Sequence, residues 1–270
     1  MSSLQSLIAS MFKDSPPGNN ITFVNDIKTI LANDNSSKII AENLAQCTLN
    51  NDFKLVKLSK DEFGVVSKYN KSGLKFYDPL SKLTFDYDFN KLKVIDVEEG
   101  DDSSLESAQI SKLNEQLAEY ASLHYPTFYK SLVVPDQDDS DIIYLIIVDE
   151  NLNDANYYNG KWQSFYQYSQ SSGKLTGEIS IKIHYYEDGN VVLKTNKKID
   201  IDVSSSANLI KSIEKFENQF ELLVLKKFNN LNESQFKNLR RQLPINRSKV
   251  QWGKAIGNYK LGQDVAGGRH

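Results

Sequence analysis

The sequence has one cysteine, Cys47, in 270 residues, so no disulfide can form within the chain and no multi-cysteine zinc site can be built. No stretch reaches the roughly 18 consecutive apolar residues that a membrane span requires. The opening residues, MSSLQSLIASMFKDS, lack the basic start and long apolar segment of a secretory signal, and the expectation is a cytosolic protein. Asn-x-Ser/Thr triplets such as Asn35-Ser36-Ser37 are then expected to stay unmodified. Neither GxxxxGK[ST] nor GxGxxG occurs, which removes both phosphate-binding fingerprints. The three histidines, His124, His184 and His270, are isolated and none stands in HExxH spacing, so they read as structural or solvated side chains. Paired acids such as Glu98-Glu99 and Asp138-Asp139 stand in acidic loops, where solvation accounts for them. An enzyme reading has no residue to rest on, and no cofactor is expected.

What is present is an ordinary soluble composition, 40% hydrophobic and 25% charged, long enough to bury a sizeable core. Leu4, Leu7, Ile8, Met11 and Phe12 recur at spacings of three and four, a helical stripe ended by Ser15-Pro16-Pro17-Gly18. Phe23, Val24, Ile27, Ile30 and Leu31 mark a second helix, and Ile39, Ile40, Leu44 and Cys47 a third. Residues 1–50 are therefore expected to form an antiparallel helical stalk, with Cys47 a small core residue on its stripe.

From Phe53 the period changes. The runs FKLVKL, EFGVVSKYN, LKFYDP and KLTFDYDF alternate and are β-branched or aromatic, with Ser72-Gly73 and Asp78-Pro79 as turns. Glu98 to Ser104 reads as an acidic loop, and Leu105 to Leu123 as a helix ending before Pro126. Residues 51–126 are expected to be a small β globule with a connecting helix. Residues 127–203 hold five strand candidates in succession, the last two joined at Asp188-Gly189, which supplies the positive φ of a tight hairpin. Ile179, Ile181 and Ile183 fall on one face of their strand, and Ser180, Lys182 and His184 on the other. Leu209 to Phe228 then has helical spacing over about 30 Å, enough to cross a five-stranded sheet. Asn232 and Gln235 offer a capped start for a short helix carrying Phe236, Leu239 and Leu243, which completes residues 204–244. The expected class is α+β: a helical stalk, a small β globule, and a five-stranded antiparallel sheet crossed by a long helix, with a flexible amphipathic C-terminal extension over 245–270.

Charge is divided unevenly along the chain. Seven basic residues and no acidic one lie between Ser234 and Gln263, although the net charge is -3; setting them aside leaves 25 basic against 35 acidic residues, near -10. Such a basic arm suits an acidic partner. Large apolar residues are interleaved with the bases: Trp252, Ala255, Ile256 and Tyr259 fall at i, i+3, i+4 and i+7. Gly253 and Gly257 each cost a helix about 1 kcal/mol relative to alanine, so this stretch is expected to be loosely ordered and to fold on contact.

The tail LRRQLPINRSKVQWGKAIGNYKLG resembles the C-terminal signature of the F-actin capping protein alpha subunit family: Arg-Arg-x-Leu-Pro, two bases spaced by one residue, then Trp, Lys and a Tyr-Lys-hydrophobic-Gly ending. YYNGKWQS, HYYEDGNV, DSPPG and FYDP match the same family in order. In the NGKW block the family more often has arginine where Lys161 and Gln163 stand. The resemblance implies a non-enzymatic subunit of an obligate heterodimer, in which a similar beta subunit completes a ten-stranded sheet. It further implies calcium-independent binding to the barbed end of the actin filament, which blocks addition and loss of actin. The implied actin-binding residues are Lys237, Arg241, Arg247, Lys249, Trp252, Lys254, Ala255, Ile256 and Tyr259. Phosphoinositides and other regulators are further implied partners, with Lys237 and Arg241 facing the anionic lipid, and the implied location is cortical actin.

From the residues alone two other readings stay open. Bases mixed with Trp252 and Tyr259 could contact nucleic-acid phosphates and stack on bases, although the acidic body and the lack of RNP, KH or helix-turn-helix signatures oppose this. The same bases could serve an anionic-lipid binding module.

Overall fold

The stalk forms because three short amphipathic segments can bury their stripes only against one another. In the computed structural model the helices α1 (Ser3–Asp14), α2 (Asn20–Leu31) and α3 (Asp34–Asn50) enclose Ile8, Phe12, Val24, Ile27, Ile40 and Leu44, with Cys47 packed partly against them. Gly18, at φ 90°, makes the reversal between α1 and α2. The structure describes residues 3–31, 34–100, 107–125, 127–152, 158–185, 191–203 and 208–230. The chain forms two compact units, Met1–Glu214 and Lys215–His270.

The small β region follows. Strands β1 (Lys54–Lys57) and β2 (Phe63–Val66) pair as a hairpin, and β3 (Lys71–Ser72), β4 (Lys75–Asp78), β5 (Leu83–Asp88) and β6 (Lys93–Glu99) form a four-stranded antiparallel sheet in chain order. Phe76, Phe85 and Tyr87 meet Val56 and Val66 in its core. The expected runs map onto β1, β2, β4 and β5, whereas β3 and β6 go beyond them. β3 has only two residues, and β6 is mostly exposed, so it shows no buried alternation to read. Glu98 and Glu99, expected in a loop, are strand residues, and Lys75 pairs with Glu98 at 2.5 Å. Helix α4 (Ala108–His124) is capped by Ser107, whose hydroxyl accepts from the Ile110 N–H at 3.2 Å, and it ends before Pro126 as expected. The start proposed at Leu105 lies outside the described residues.

All five strands of the meander are present. β7 (Tyr129–Pro135), β8 (Ile142–Asn151), β9 (Tyr158–Ser169), β10 (Lys174–Tyr185) and β11 (Val191–Asp202) pair antiparallel in the order β11-β10-β9-β8-β7. Asp188-Gly189 lies outside the described residues, but the register it would join is clear, running from Tyr185 opposite Val191 to Lys174 opposite Asp202. β8 is buried on both faces, as its apolar run requires. Ile146 and Val148 meet Phe53, Leu55 and Val65 of the β1–β2 region, while Leu145 and Ile147 on the other face are also fully buried. Tyr69, Tyr144 and Phe165 stack between the small region and the sheet, with centroids 4.4 to 5.7 Å apart. Helix α5 (Leu209–Asn230) matches the long helix expected from Leu209, and Leu209 and Ile213 are buried.

Candidate functional site

The nine expected tail residues, Lys237, Arg241, Arg247, Lys249, Trp252, Lys254, Ala255, Ile256 and Tyr259, lie outside the described residues, as does the short helix through Leu243. The described part offers two other features with functional chemistry: the edges of the five-stranded sheet and a row of charge across one of its faces.

The two edges differ. Strand β7 is short and buried along nearly its whole length, and α4 covers it. Asn114 donates to the Val133 carbonyl at 2.8 Å and accepts from the Val133 N–H at 2.6 Å, occupying backbone groups that no neighbouring strand can reach. Strand β11 has twelve residues and is largely exposed, including Val192 at 40% and Ile201 at 38%. A long edge with apolar side chains is a template for a further strand.

The charged row begins on the same edge. Lys194 stands directly opposite Lys182, Lys182 opposite Lys161, and Lys161 opposite Glu150, so three lysines and a glutamate cross four strands on one face. Three neighbouring like charges repel, and acids inserted from the side offset this. Asp52, just beyond α3, contacts Lys161 at 2.8 Å and Lys182 at 3.1 Å. Glu150 contacts Lys161 at 3.0 Å and also pairs with Lys54 of β1. Lys161 completes its three donors on the Phe53 carbonyl. At the edge Lys194 donates to the Asp14 carbonyl at 2.9 Å and lies 3.6 Å from its carboxylate, a cation at the C-terminus of α1.

These contacts determine the protonation states. Burial pushes the carboxyls of Asp52 and Glu150 up, yet for Asp52 the ammoniums of Lys161 and Lys182, and for Glu150 those of Lys54 and Lys161, hold each below its ordinary range. Lys161 is raised by Asp52 and Glu150 against the opposing effect of its own burial. Asp52, Glu150 and Lys161 are therefore charged near neutral pH, and the row ties the stalk, the β1 strand and the sheet together. A cavity of about 30 Å³ adjoins Lys54, Lys161 and Lys182. Among the described residues, no group of three or more His, Cys, Asp or Glu is placed to hold a metal ion, and no helix is long and apolar enough to cross a membrane.

Sequence reading missed this row. The sequence pattern does not single out Glu150, and Lys161 stands in it only as a departure from the NGKW motif. The available signal was weak: charged residues in the middle or at the end of otherwise apolar strands, which require partners once buried.

Fold and site together define an α+β assembly protein, in which buried charges join the parts and one sheet edge is left open. Comparison with known proteins specifies it further. A family model described as F-actin capping protein alpha subunit matches residues 8–264. The F-actin-capping protein subunit alpha of Yarrowia lipolytica is 40% identical, covering 98% of each chain, and that of Saccharomyces cerevisiae is 35% identical, covering 99% of each. The chain belongs to the F-actin capping protein alpha subunit family, whose members are actin-capping, actin-binding proteins of the cytoskeleton. A solved structure titled homodimeric actin capping protein alpha subunit from Plasmodium berghei shares the fold, with a TM-score of 0.72 at 22% identity, covering 90% of this chain and 98% of that one.

Proposed function

We propose that the chain is the non-enzymatic alpha subunit of a heterodimeric capping protein that binds the barbed end of the actin filament without calcium and blocks subunit addition and loss. The observation that carries this reading is the family match over residues 8–264, which takes in the basic tail as well as the folded body. The open β11 edge supports the second subunit: a similar beta subunit would add its strand there and continue the sheet. The structural neighbour titled as homodimeric is a protein of this fold that assembles with a second chain.

In this reading Lys237, Arg241, Arg247, Lys249 and Lys254 orient the tail on acidic actin, and Trp252, Ala255, Ile256 and Tyr259 bury in an apolar groove on it. Residues 1–50 act as the stalk, 51–126 as the small globule, 127–203 as the shared sheet, 204–244 as the helical layer and 245–270 as the actin-facing extension. Lys237 and Arg241 also meet phosphoinositides, so that lipid competes with actin, and the heterodimer works in the cytoplasm at cortical actin.

The test is barbed-end elongation with the chain co-expressed with its beta subunit, comparing the full length with a chain ending at Pro244. Loss of capping on truncation, with the dimer intact, is expected. Equal capping by the truncated dimer would overturn the tail assignment, and strong capping by the alpha chain alone would overturn the obligate partner.

A further inference from the structure

The charged row stops at a free edge with a lysine, and this constrains what can be added beside it. In an antiparallel sheet, directly opposed side chains stand about 4.5 to 5.5 Å apart at Cβ, and like charges there destabilise the pairing. Along the row the acids enter from other elements: Asp52 lies between Lys161 and Lys182, and Asp14 beside Lys194. Beyond Lys194 the sheet supplies nothing further, because β11 is the last strand.

The space over that end of the row is open. A groove of about 730 Å³ runs between α1, α3 and the last two strands, lined among others by Lys13, Asp14, Gln46, Lys182, Lys194 and Asn196. That volume lies within the range of ligand-binding clefts. Its lysines Lys13, Lys182 and Lys194 outnumber the acids Asp14 and Asp52, in a chain whose net charge is negative. Asp52 is already shared between two lysines, and Lys13 has no acidic partner among the described residues.

We infer that the strand which the second subunit adds to β11 carries an acidic side chain directly opposite Lys194, seated in this groove within reach of Lys13. The inference rests on the reading that β11 is the heterodimer edge, and it names the chemistry that selects the partner and its register. A one-residue slip would turn the acid to the other face of the sheet, away from Lys194 and Lys13. A basic or apolar residue at that position would leave the excess positive charge covered and unpaired.

The experiment measures subunit dissociation from the assembled heterodimer, by exchange with labelled alpha chain, at about 50 mM and about 500 mM salt. Lys194→Glu is expected to speed dissociation at least about tenfold at low salt and much less at high salt. Replacing one acidic residue of the partner's pairing strand by lysine should restore the slow rate. Asp14→Ala removes the carboxylate partner of Lys194 within its own chain, leaving its donation to the Asp14 and Lys13 carbonyls, and is the control. If Asp14→Ala speeds dissociation as much as Lys194→Glu, the lysine acts only as a latch on α1, and the inference falls. An unchanged rate for Lys194→Glu at both salt concentrations also overturns it. Proline at Thr195 or Asn196 tests the underlying reading separately: assembly unaffected by both would refute β11 as the edge, whatever Lys194 does. Equally tight pairing of the alpha chain with a second copy of itself, seen in sedimentation, would show that the groove does not select an acidic partner strand.

Discussion

The carboxamide of Asn114 satisfies both free backbone groups of Val133, accepting from its N–H at 2.6 Å and donating to its carbonyl at 2.8 Å. A side chain of α4 thereby occupies the β7 edge at Val133, and among the described residues β11 is the uncovered edge of the sheet. The pair is buried, so truncation leaves two unsatisfied backbone groups. Asn114→Leu is expected to destabilise the folded chain by about 3 kcal/mol. Asn114→Asp should cost at least as much while ionised, because it keeps an acceptor for the N–H but sets a buried carboxylate oxygen against the Val133 carbonyl. Urea unfolding of the heterodimer would check the order of the two variants.

Lys161 is the shared partner of two buried carboxylates, and its removal leaves Asp52 with Lys182 and Glu150 with Lys54. Lys161→Met should therefore cost about 2 to 4 kcal/mol, near the lower end for breaking a buried pair because each acid retains one cation. Lys161→Arg keeps the charge and offers several donors, and is expected to cost about 1 kcal/mol or less. Thermal unfolding of both variants against the parent chain measures this. A larger loss for arginine than for methionine would show that packing outweighs charge at this site.

At Gly177 the strands β9 and β10 approach so closely that a Cβ would stand 2.3 Å from the Phe165 carbonyl oxygen and 2.9 Å from the Tyr166 Cα. Both are backbone atoms of a central strand and cannot turn aside. Gly177→Ala should force the strands apart and cost about 2 to 3 kcal/mol, although alanine is the better strand former by conformational entropy. Amide exchange should show the loosening first at the β9–β10 hydrogen bonds.

Strands, helices and their order were legible because burial imposes a period: Ile179, Ile181 and Ile183 share one face of β10, as their spacing demands. The elements that escaped were those with little burial, such as β6, or too short for any period, such as β3. The charged row escaped for a different reason. Asp52 is distant in sequence from Glu150 and Lys161, and only the register of β8 and β9 together with the end of α3 brings the three within 3.0 Å. Asp52 in particular stands in the polar run Asn50-Asn51-Asp52, which has the composition of a loop. The tail was the opposite case: its composition and motif were readable from sequence alone, with no help from tertiary contacts.

Asp149 is an acid of the sheet whose environment works against its charge. It faces away from the charged row, opposite Trp162, and its Oδ1 is buried without a hydrogen-bond partner. Burial, and after it the neighbouring Glu150 carboxylate, push its pKa up to about 6. An acid raised in the folded state prefers its proton there, while the unfolded chain releases it near pH 4. Stability contributed by this group is therefore full below pH 4, declines as pH rises through 6, and stays low above it. Asp149→Asn should stabilise the chain by about 1 to 2 kcal/mol at pH 7.5, less than the full shift implies because the carboxyl keeps some contact with solvent. The gain should vanish near pH 4, where the parent side chain is already neutral. Denaturant melts of the parent and the variant at both pH values would check this, with Trp162 reporting from across the β8–β9 pair. A gain that is equal at the two pH values would mean that packing, and not the carboxyl proton, is the cause.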